Sequence, residues 1–121
     1  HLGTLDESRL AGLDAALRFQ EAIGIDRIET RVRQLRRHLY NALAALPRVR
    51  IVSPAADALA AGMVSFTIDG VPSLELQARL ASDANVRTRV IGEYDYGWMR
   101  LSPHIYNTEE EIDRVIELIG S

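Results

Sequence analysis

The sequence predicts an α+β fold, with a mainly antiparallel sheet of about four strands and helices packed on one face of that sheet. The predicted elements follow in the order helix, helix, strand, strand, helix, strand, strand, helix. The strands alternate apolar and polar residues, so each strand presents one apolar face. The helices carry apolar stripes at helical spacing, which would cover that face.

The first predicted helix covers residues 6–23. Thr4 and Glu7 have the spacing of a capping box at its start. The leucines within it recur at steps of three and four, which is typical of one helix face. This stripe consists of Leu10, Leu13, Ala16 and Leu17.

Gly24 separates this helix from a second one, which covers about residues 26–46 and is stopped by Pro47. Its apolar residues have the clearest helical period in the chain. The opposite face is rich in arginine. A solvated face accounts for these arginines better than a nucleic-acid stripe, because the chain is acidic as a whole. They are Arg27, Arg31, Arg33 and Arg37.

Four strands are predicted in the remainder of the chain. They cover residues 49–53, 63–69, 86–91 and 98–102. In the last of them Met99 and Leu101 share the apolar face. The polar face, which a small domain would leave open, is expected to carry Trp98, Arg100, Ser102 and Arg89.

Two further helices flank the second pair of strands. One covers about residues 72–84 and ends at Asn85, which tolerates the left-handed conformation. The other begins at Thr108, which forms a capping box with Glu111. The apolar stripe of this last helix consists of Ile112, Val115, Ile116 and Ile119.

Composition narrows the possible functions. The chain has 121 residues, which suits one domain, and a net charge of −3, which predicts no nucleic-acid or membrane partner. It contains no cysteine, which excludes disulfides, thiolate metal sites and cysteine nucleophiles, and no metal site is predicted. No signal peptide or membrane span is recognisable, so cytoplasmic localisation is expected. All 14 basic residues counted as Lys or Arg are arginine.

The stretch R-L-S-P-H-I-Y-N-T-E-E-E-I-D, residues 100–113, resembles the C-terminal signature of class V aminotransferases. These pyridoxal-phosphate (PLP) enzymes include cysteine desulfurases, isopenicillin N epimerase-like proteins and related carbon–sulfur lyases. The similarity extends back through G-I-D-R-I-E-T-R to Gly3 and Thr4, and it covers only the small C-terminal domain of such an enzyme. It implies the small-domain fold of fold type I PLP enzymes, a large PLP-binding domain of the same enzyme as partner, a homodimer and an amino-acid substrate.

The resemblance also implies roles for four residues. Arg100 occupies the place of the arginine that binds the substrate α-carboxylate; a structural ion pair is the alternative. Arg89 is expected to bind substrate or support the site, with a surface salt bridge as its alternative. His104 could contact substrate or cofactor, although a lone loop histidine is more often structural. Thr4 occupies the place of a hydroxyl that binds the cofactor phosphate of the neighbouring subunit, and simple helix capping accounts for it equally well.

The absence of lysine limits what the chain does alone. Without a side-chain amine it cannot form the Schiff base with PLP, so it is expected to be non-catalytic by itself. The loop before the last strand lacks the cysteine of cysteine desulfurases, so an epimerase, carbon–sulfur lyase or transaminase fits better. The alternative function is a stand-alone, non-enzymatic α+β module that binds a partner through its open sheet face.

Overall fold

The computed structural model describes residues 6–92 and 97–121. The predicted order of helices and strands is confirmed, with one short 3₁₀ turn added. None of the helices in these two ranges is both long enough and apolar enough to cross a membrane. The elements are α1 (Glu7–Ile23), α2 (Ile25–Ala44), β1 (Val49–Ile51), the 3₁₀ turn (Asp57–Leu59), β2 (Val64–Ile68), α3 (Ser73–Ala84), β3 (Arg89–Ile91), β4 (Trp98–Leu101) and α4 (Glu109–Gly120).

The chain forms two compact units, residues 1–30 and residues 31–121. Helix α1, in the first unit, carries no buried residue. Its N-cap is Asp6, whose carboxylate accepts a hydrogen bond from the backbone N–H of Arg9 at 3.2 Å. A hydrogen bond from the Ser8 hydroxyl is the main cause that lowers the pKa of Asp6, and the hydrogen bond from the Arg9 backbone N–H lowers it further. The prediction that Thr4 caps α1 is wrong, because the helix begins one residue after Asp6; Thr4 itself lies outside the described residues.

The second unit contains a four-stranded antiparallel sheet in the order β1-β2-β4-β3. Phe66 and Met99 are paired across β2 and β4, and both are fully buried. Leucines of α2 and α3 and branched residues of α4 complete the core against this face. The predicted α+β class, with helices on one face of an antiparallel sheet, is therefore confirmed. The core consists of Leu35, Leu39, Leu43, Val64, Phe66, Ile68, Leu76, Leu80, Met99, Leu101, Ile112, Val115 and Ile119.

Strand β3 is shorter than the predicted strand, which began at Val86. The backbone N–H of Val86 donates to the carbonyl of Leu80 at 3.0 Å and so helps to cap α3. The carbonyl of Thr88 accepts a hydrogen bond from the side chain of Gln77 at 2.9 Å. Because these backbone groups bond to α3, pairing with β4 begins only at Arg89.

Two predicted helix boundaries, the end of α3 and the start of α4, are confirmed by their caps, whereas α2 ends at Ala44, two residues before the predicted end. Asn85 ends α3 in the left-handed conformation, with φ of 53°. At α4, the N–H of Glu111 donates to the Thr108 hydroxyl at 3.2 Å, and the Thr108 N–H donates to the Glu111 carboxylate at 3.1 Å. The Asn107 amide and then the Thr108 N–H stabilise that carboxylate, so they lower the pKa of Glu111.

The arginine-rich face of α2 is not simply solvated as predicted. Arg31 lies 3.2 Å from Glu109 at the start of α4. Arg33 donates to the carbonyl of Asp57 at 2.6 Å. These contacts tie α2 to two other segments of the same unit, so part of this face has a structural role.

Arg36, on the same helix, is 1% exposed. Its guanidinium donates to the carbonyls of Pro54 and Ala55, contacts the Asp57 carboxylate at 3.3 Å, and lies 5.0 Å from the centre of the Tyr40 ring. The buried charge is therefore paired and stacked, although the Nε atom of Arg36 has no hydrogen-bond partner among the described residues. It holds the segment between β1 and β2 against α2.

Candidate functional site

The polar face of the sheet is the candidate site. We call it the open face and define it by the outward-facing residues of the four strands. The core side chains lie on the opposite face, since side chains alternate along a strand. Pairing then places outward residues of neighbouring strands side by side. The open face consists of Arg50, Ser65, Thr67, Arg89, Ile91, Trp98 and Arg100.

Arg100 lies at the centre of this face on β4, an inner strand. Its neighbours Met99 and Leu101 are buried in the core, which directs the arginine outward. On one side it is paired with Ser65 of β2, and on the other with Arg89 of β3. A rigid strand held from both sides thus fixes the base of this side chain.

The Nε atom of Arg100 is buried and has no hydrogen-bond partner among the described residues. A buried donor without an acceptor is unfavourable, because the group has lost its water and gained nothing in return. A guanidinium binds a carboxylate through two parallel hydrogen bonds, which would satisfy such a donor. The geometry of Arg100 therefore suits an anionic group placed over the open face.

Arg89 is exposed and directly opposite Arg100 in the antiparallel register. Outward side chains of such a pair have Cβ atoms about 5 Å apart, so the two arginines start from adjacent positions on the face. The sequence predicted a shared face for these arginines, and the structure brings them into one cross-strand row. Like charges in that arrangement are unfavourable unless an anion or another group offsets them.

His104 lies outside this row, in the exposed loop that follows β4. Its backbone N–H donates to the side chain of Asn107 at 2.9 Å, and its carbonyl accepts from the Asn107 N–H at 2.8 Å. Its ring lies 5.3 Å from the ring of Tyr106, centre to centre. These contacts fix the loop to the cap of α4, while a ligand-binding role for His104 stays a prediction.

A concavity of about 460 Å³ opens elsewhere, at the end of β4 where Ser102 and Pro103 leave the sheet. Ile112 and Val115 of α4 line it, and both also belong to the core. Neither Arg100 nor Arg89 lines this concavity. We place substrate binding on the open face instead, because the unsatisfied Nε of Arg100 lies there, whereas that of Arg36 is enclosed beneath α2.

The described residues contain no group of three His, Asp or Glu side chains that could hold a metal ion.

Arg36 is the buried charge that sequence reasoning missed. Its position four residues after Val32 and four before Tyr40, on the flank of the apolar stripe, was the available signal. It supports the fold and lies on α2, not on the open face.

Comparison with known proteins identifies the chain's relatives. The sequence is 31% identical to a probable cysteine desulfurase 2 of Mycobacterium leprae, over 94% of this chain and 29% of that protein. It is 29% identical to isopenicillin N epimerase of Streptomyces clavuligerus, over 98% of this chain and 30% of that protein. The chain thus spans about 30% of the length of these curated relatives.

The fold also matches the solved structure of a PLP-binding protein. A lysine-to-alanine variant of C-DES, with glycine covalently linked to its PLP cofactor, superimposes with a TM-score of 0.83 and 27% identity. The match covers 99% of this chain and 30% of that one. The sequence profile of the class-V aminotransferases matches residues 1–115. The predicted resemblance is confirmed, and the chain belongs to the class V aminotransferase family.

Proposed function

We propose that this chain is the C-terminal domain of a PLP-dependent enzyme that acts on an amino acid, and that Arg100 binds the α-carboxylate of that substrate. The buried, unsatisfied Nε of Arg100 on the open face is the observation that carries this proposal. Family membership supports the reaction class, which would be that of an epimerase, a carbon–sulfur lyase or a transaminase.

The rest of the enzyme would supply the lysine that holds PLP covalently, which this chain lacks. PLP needs a lysine amine for covalent attachment, and all 14 basic residues counted as Lys or Arg are arginine. The cofactor would therefore be held mainly by a large domain of the same polypeptide, with the open face turned toward it. Trp98, half-buried beside Arg100, would seat the sheet on that domain. We further propose a homodimer in the cytoplasm, in which Thr4 binds the cofactor phosphate of the other subunit.

When bound, PLP supplies an electron sink that stabilises negative charge at the substrate α-carbon. The contribution of this chain is to bind and orient. Two parallel hydrogen bonds from a planar guanidinium fix both the position and the rotation of a carboxylate. Since β4 is held between β2 and β3, that orientation would be set by the sheet rather than by a mobile loop. Arg89 would support this site from the neighbouring strand, and His104 from the loop beyond it.

The test is substitution of Arg100 by alanine in the complete enzyme. We expect amino-acid affinity to fall about 100-fold, the loss expected for a bidentate, charge-assisted pair. The absorbance band of bound PLP should remain nearly unchanged. Dissociation constants come from titration of the cofactor band with amino acids, and cofactor content comes from its absorbance after gel filtration.

Arg50→Ala is the matched control, since Arg50 lies on the same face but on edge strand β1, and its side chain is 76% exposed. The Arg50→Ala enzyme should bind amino acids with the same dissociation constants as the parent enzyme. Loss of the cofactor band in Arg100→Ala would make Arg100 structural. Unchanged amino-acid affinity in that variant would contradict the carboxylate-binding role.

A further inference from the structure

The concavity at the end of β4 has a chemistry of its own. Its volume of about 460 Å³ is within the range of about 300–1,000 Å³ that is typical of small-molecule sites. All the residues that line it belong to the second unit. Its buried lining residues, which we call the floor, are apolar and also belong to the core, so they offer a surface against which a ligand can bury hydrocarbon. The floor consists of Leu39, Leu101, Ile112 and Val115.

The exposed lining residues, which we call the rim, all carry a polar group. They are Asn85, Arg87, Ser102, Tyr106, Glu111 and Arg114. An apolar floor with polar groups around the opening is the usual composition of a ligand pocket. Such a pocket suits a ligand with an apolar body and one polar end.

The charges of the rim decide the sign of that polar end. The Glu111 carboxylate accepts hydrogen bonds from the Asn107 amide and from the Thr108 N–H, both at 3.1 Å, so it is occupied by the cap of α4. Arg114, one turn further along α4, offsets the charge of this carboxylate. Arg87 makes no hydrogen bond and no ion pair with any residue that the structure describes. The rim therefore has one positive charge that the fold does not use.

We infer that this concavity binds a small monocarboxylic acid with a hydrocarbon or aromatic body, whose carboxylate pairs with Arg87 and whose body lies against the floor. A guanidinium binds a carboxylate through charge-assisted hydrogen bonds. A second acidic group would be repelled by Glu111, and a cationic group by the two arginines of the rim. This acid would be additional to the amino-acid substrate, because Arg100 does not line the concavity.

The test is titration of the complete, PLP-loaded enzyme with phenylpropionate, phenylpropanamide and propionate. The first two have the same size and differ in charge, and the third lacks the ring. We expect phenylpropionate to bind about tenfold more tightly than its amide, the effect of one exposed charge-assisted contact. Propionate should bind at least about tenfold more weakly, because it leaves most of the floor uncovered. Calorimetry gives the affinities. In methyl NMR the signals of Ile112 and Val115 should shift, and the absorbance band of PLP should stay unchanged.

Three variants assign the contacts. Arg87→Gln should reduce the acid-to-amide affinity ratio to about one, and Arg87→Lys should keep part of the preference because it keeps the charge. Arg27→Gln is the matched control, since Arg27 is exposed, has no hydrogen bond or ion pair with the described residues and does not line the concavity. Ala84→Leu enlarges a lining side chain at the end of α3 and should weaken the acid and the amide alike.

Absence of phenylpropionate binding would overturn the inference, and so would equal affinities for the acid and its amide. Equal loss of the ratio in Arg87→Gln and Arg27→Gln would indicate a general effect of charge and would overturn the assignment to Arg87. A changed PLP band, with binding lost in Arg100→Ala, would place the acid in the substrate site and would also overturn the inference. The proposed function is tested separately, by the binding of amino acids.

Discussion

Replacement of Arg36 by alanine should be one of the most damaging single changes in the second unit. The side chain is 1% exposed, and its guanidinium donates to two backbone carbonyls and to the Asp57 carboxylate. Removing it leaves these acceptors without their donor beneath α2. Hydrogen bonds from a charged group contribute about 1.5–3 kcal/mol each. Because the Asp57 side chain is 38% exposed and can be rehydrated, we expect a total loss of about 3–5 kcal/mol, a large part of the 5–15 kcal/mol that holds a typical domain together.

This loss can be measured by urea unfolding followed by circular dichroism. With a urea dependence of about 2 kcal/mol per molar, a loss of about 4 kcal/mol lowers the unfolding midpoint by about 2 M. Arg37→Ala is the matched control, because Arg37 lies 3.4 Å from the same Asp57 but is 59% exposed. An exposed ion pair contributes about 0–1 kcal/mol, so the urea midpoint of Arg37→Ala should fall by at most about 0.5 M. Equal shifts in the two variants would refute the reasoning that burial makes Arg36 important.

Two further predictions concern close packing and pH. Gly62→Ala should lower the free energy of unfolding by about 1–3 kcal/mol, because its new Cβ would overlap the side chain of Val32; adding Val32→Ala should restore part of the loss in urea unfolding. Hydrogen bonds from the Asn107 side chain and the Thr108 N–H lower the pKa of Glu111 in the folded state. This carboxylate therefore stabilises the fold above its ordinary pKa of about 4.5, and the contribution is lost as the pH falls through the lower, folded pKa. Unfolding midpoints at pH 6 and pH 3 measure it.

Each of these predictions has its own control. A Cβ at Gly92 would meet no atom of the described residues within 4 Å, so Gly92→Ala should be nearly neutral. An equal effect at both glycines would argue against the overlap with Val32. For the pH dependence, Glu111→Gln should show a smaller change between pH 6 and pH 3 than the parent chain. If the change in unfolding midpoint between pH 6 and pH 3 is the same in Glu111→Gln as in the parent chain, other acids such as Asp6 account for the pH dependence.

The elements of the fold were predictable because their signals are local. Periods of two and 3.6 residues, the capping box at Thr108 and the left-handed Asn85 can each be recognised within a few neighbouring residues. The shortening of β3 was not predictable, since Gln77 and Leu80 of α3 take backbone groups that the strand pattern assigns to the sheet. Burial of Arg36 likewise depends on carbonyls about 20 residues away in sequence.

The candidate site was likewise predictable only in part. Alternation along β4 is enough to place Arg100 on the polar face, and family resemblance is enough to suggest a ligand for it. That Arg89 stands directly opposite depends on the register between β3 and β4, which the pairing of two separate segments decides. The unsatisfied Nε of Arg100 depends on the burial of one atom, and no sequence pattern specifies that.

The order β1-β2-β4-β3 has a consequence for biosynthesis. As the chain leaves the ribosome, β1 and β2 can pair at once, but β3 has its partner in β4, which emerges later. Until β4 arrives, the inner edge of β2 also stays unpaired and exposed to other chains. The strand that carries Arg100 is therefore the strand that closes the sheet, so that a nascent domain becomes protected from aggregation and acquires its arginine pair in the same step.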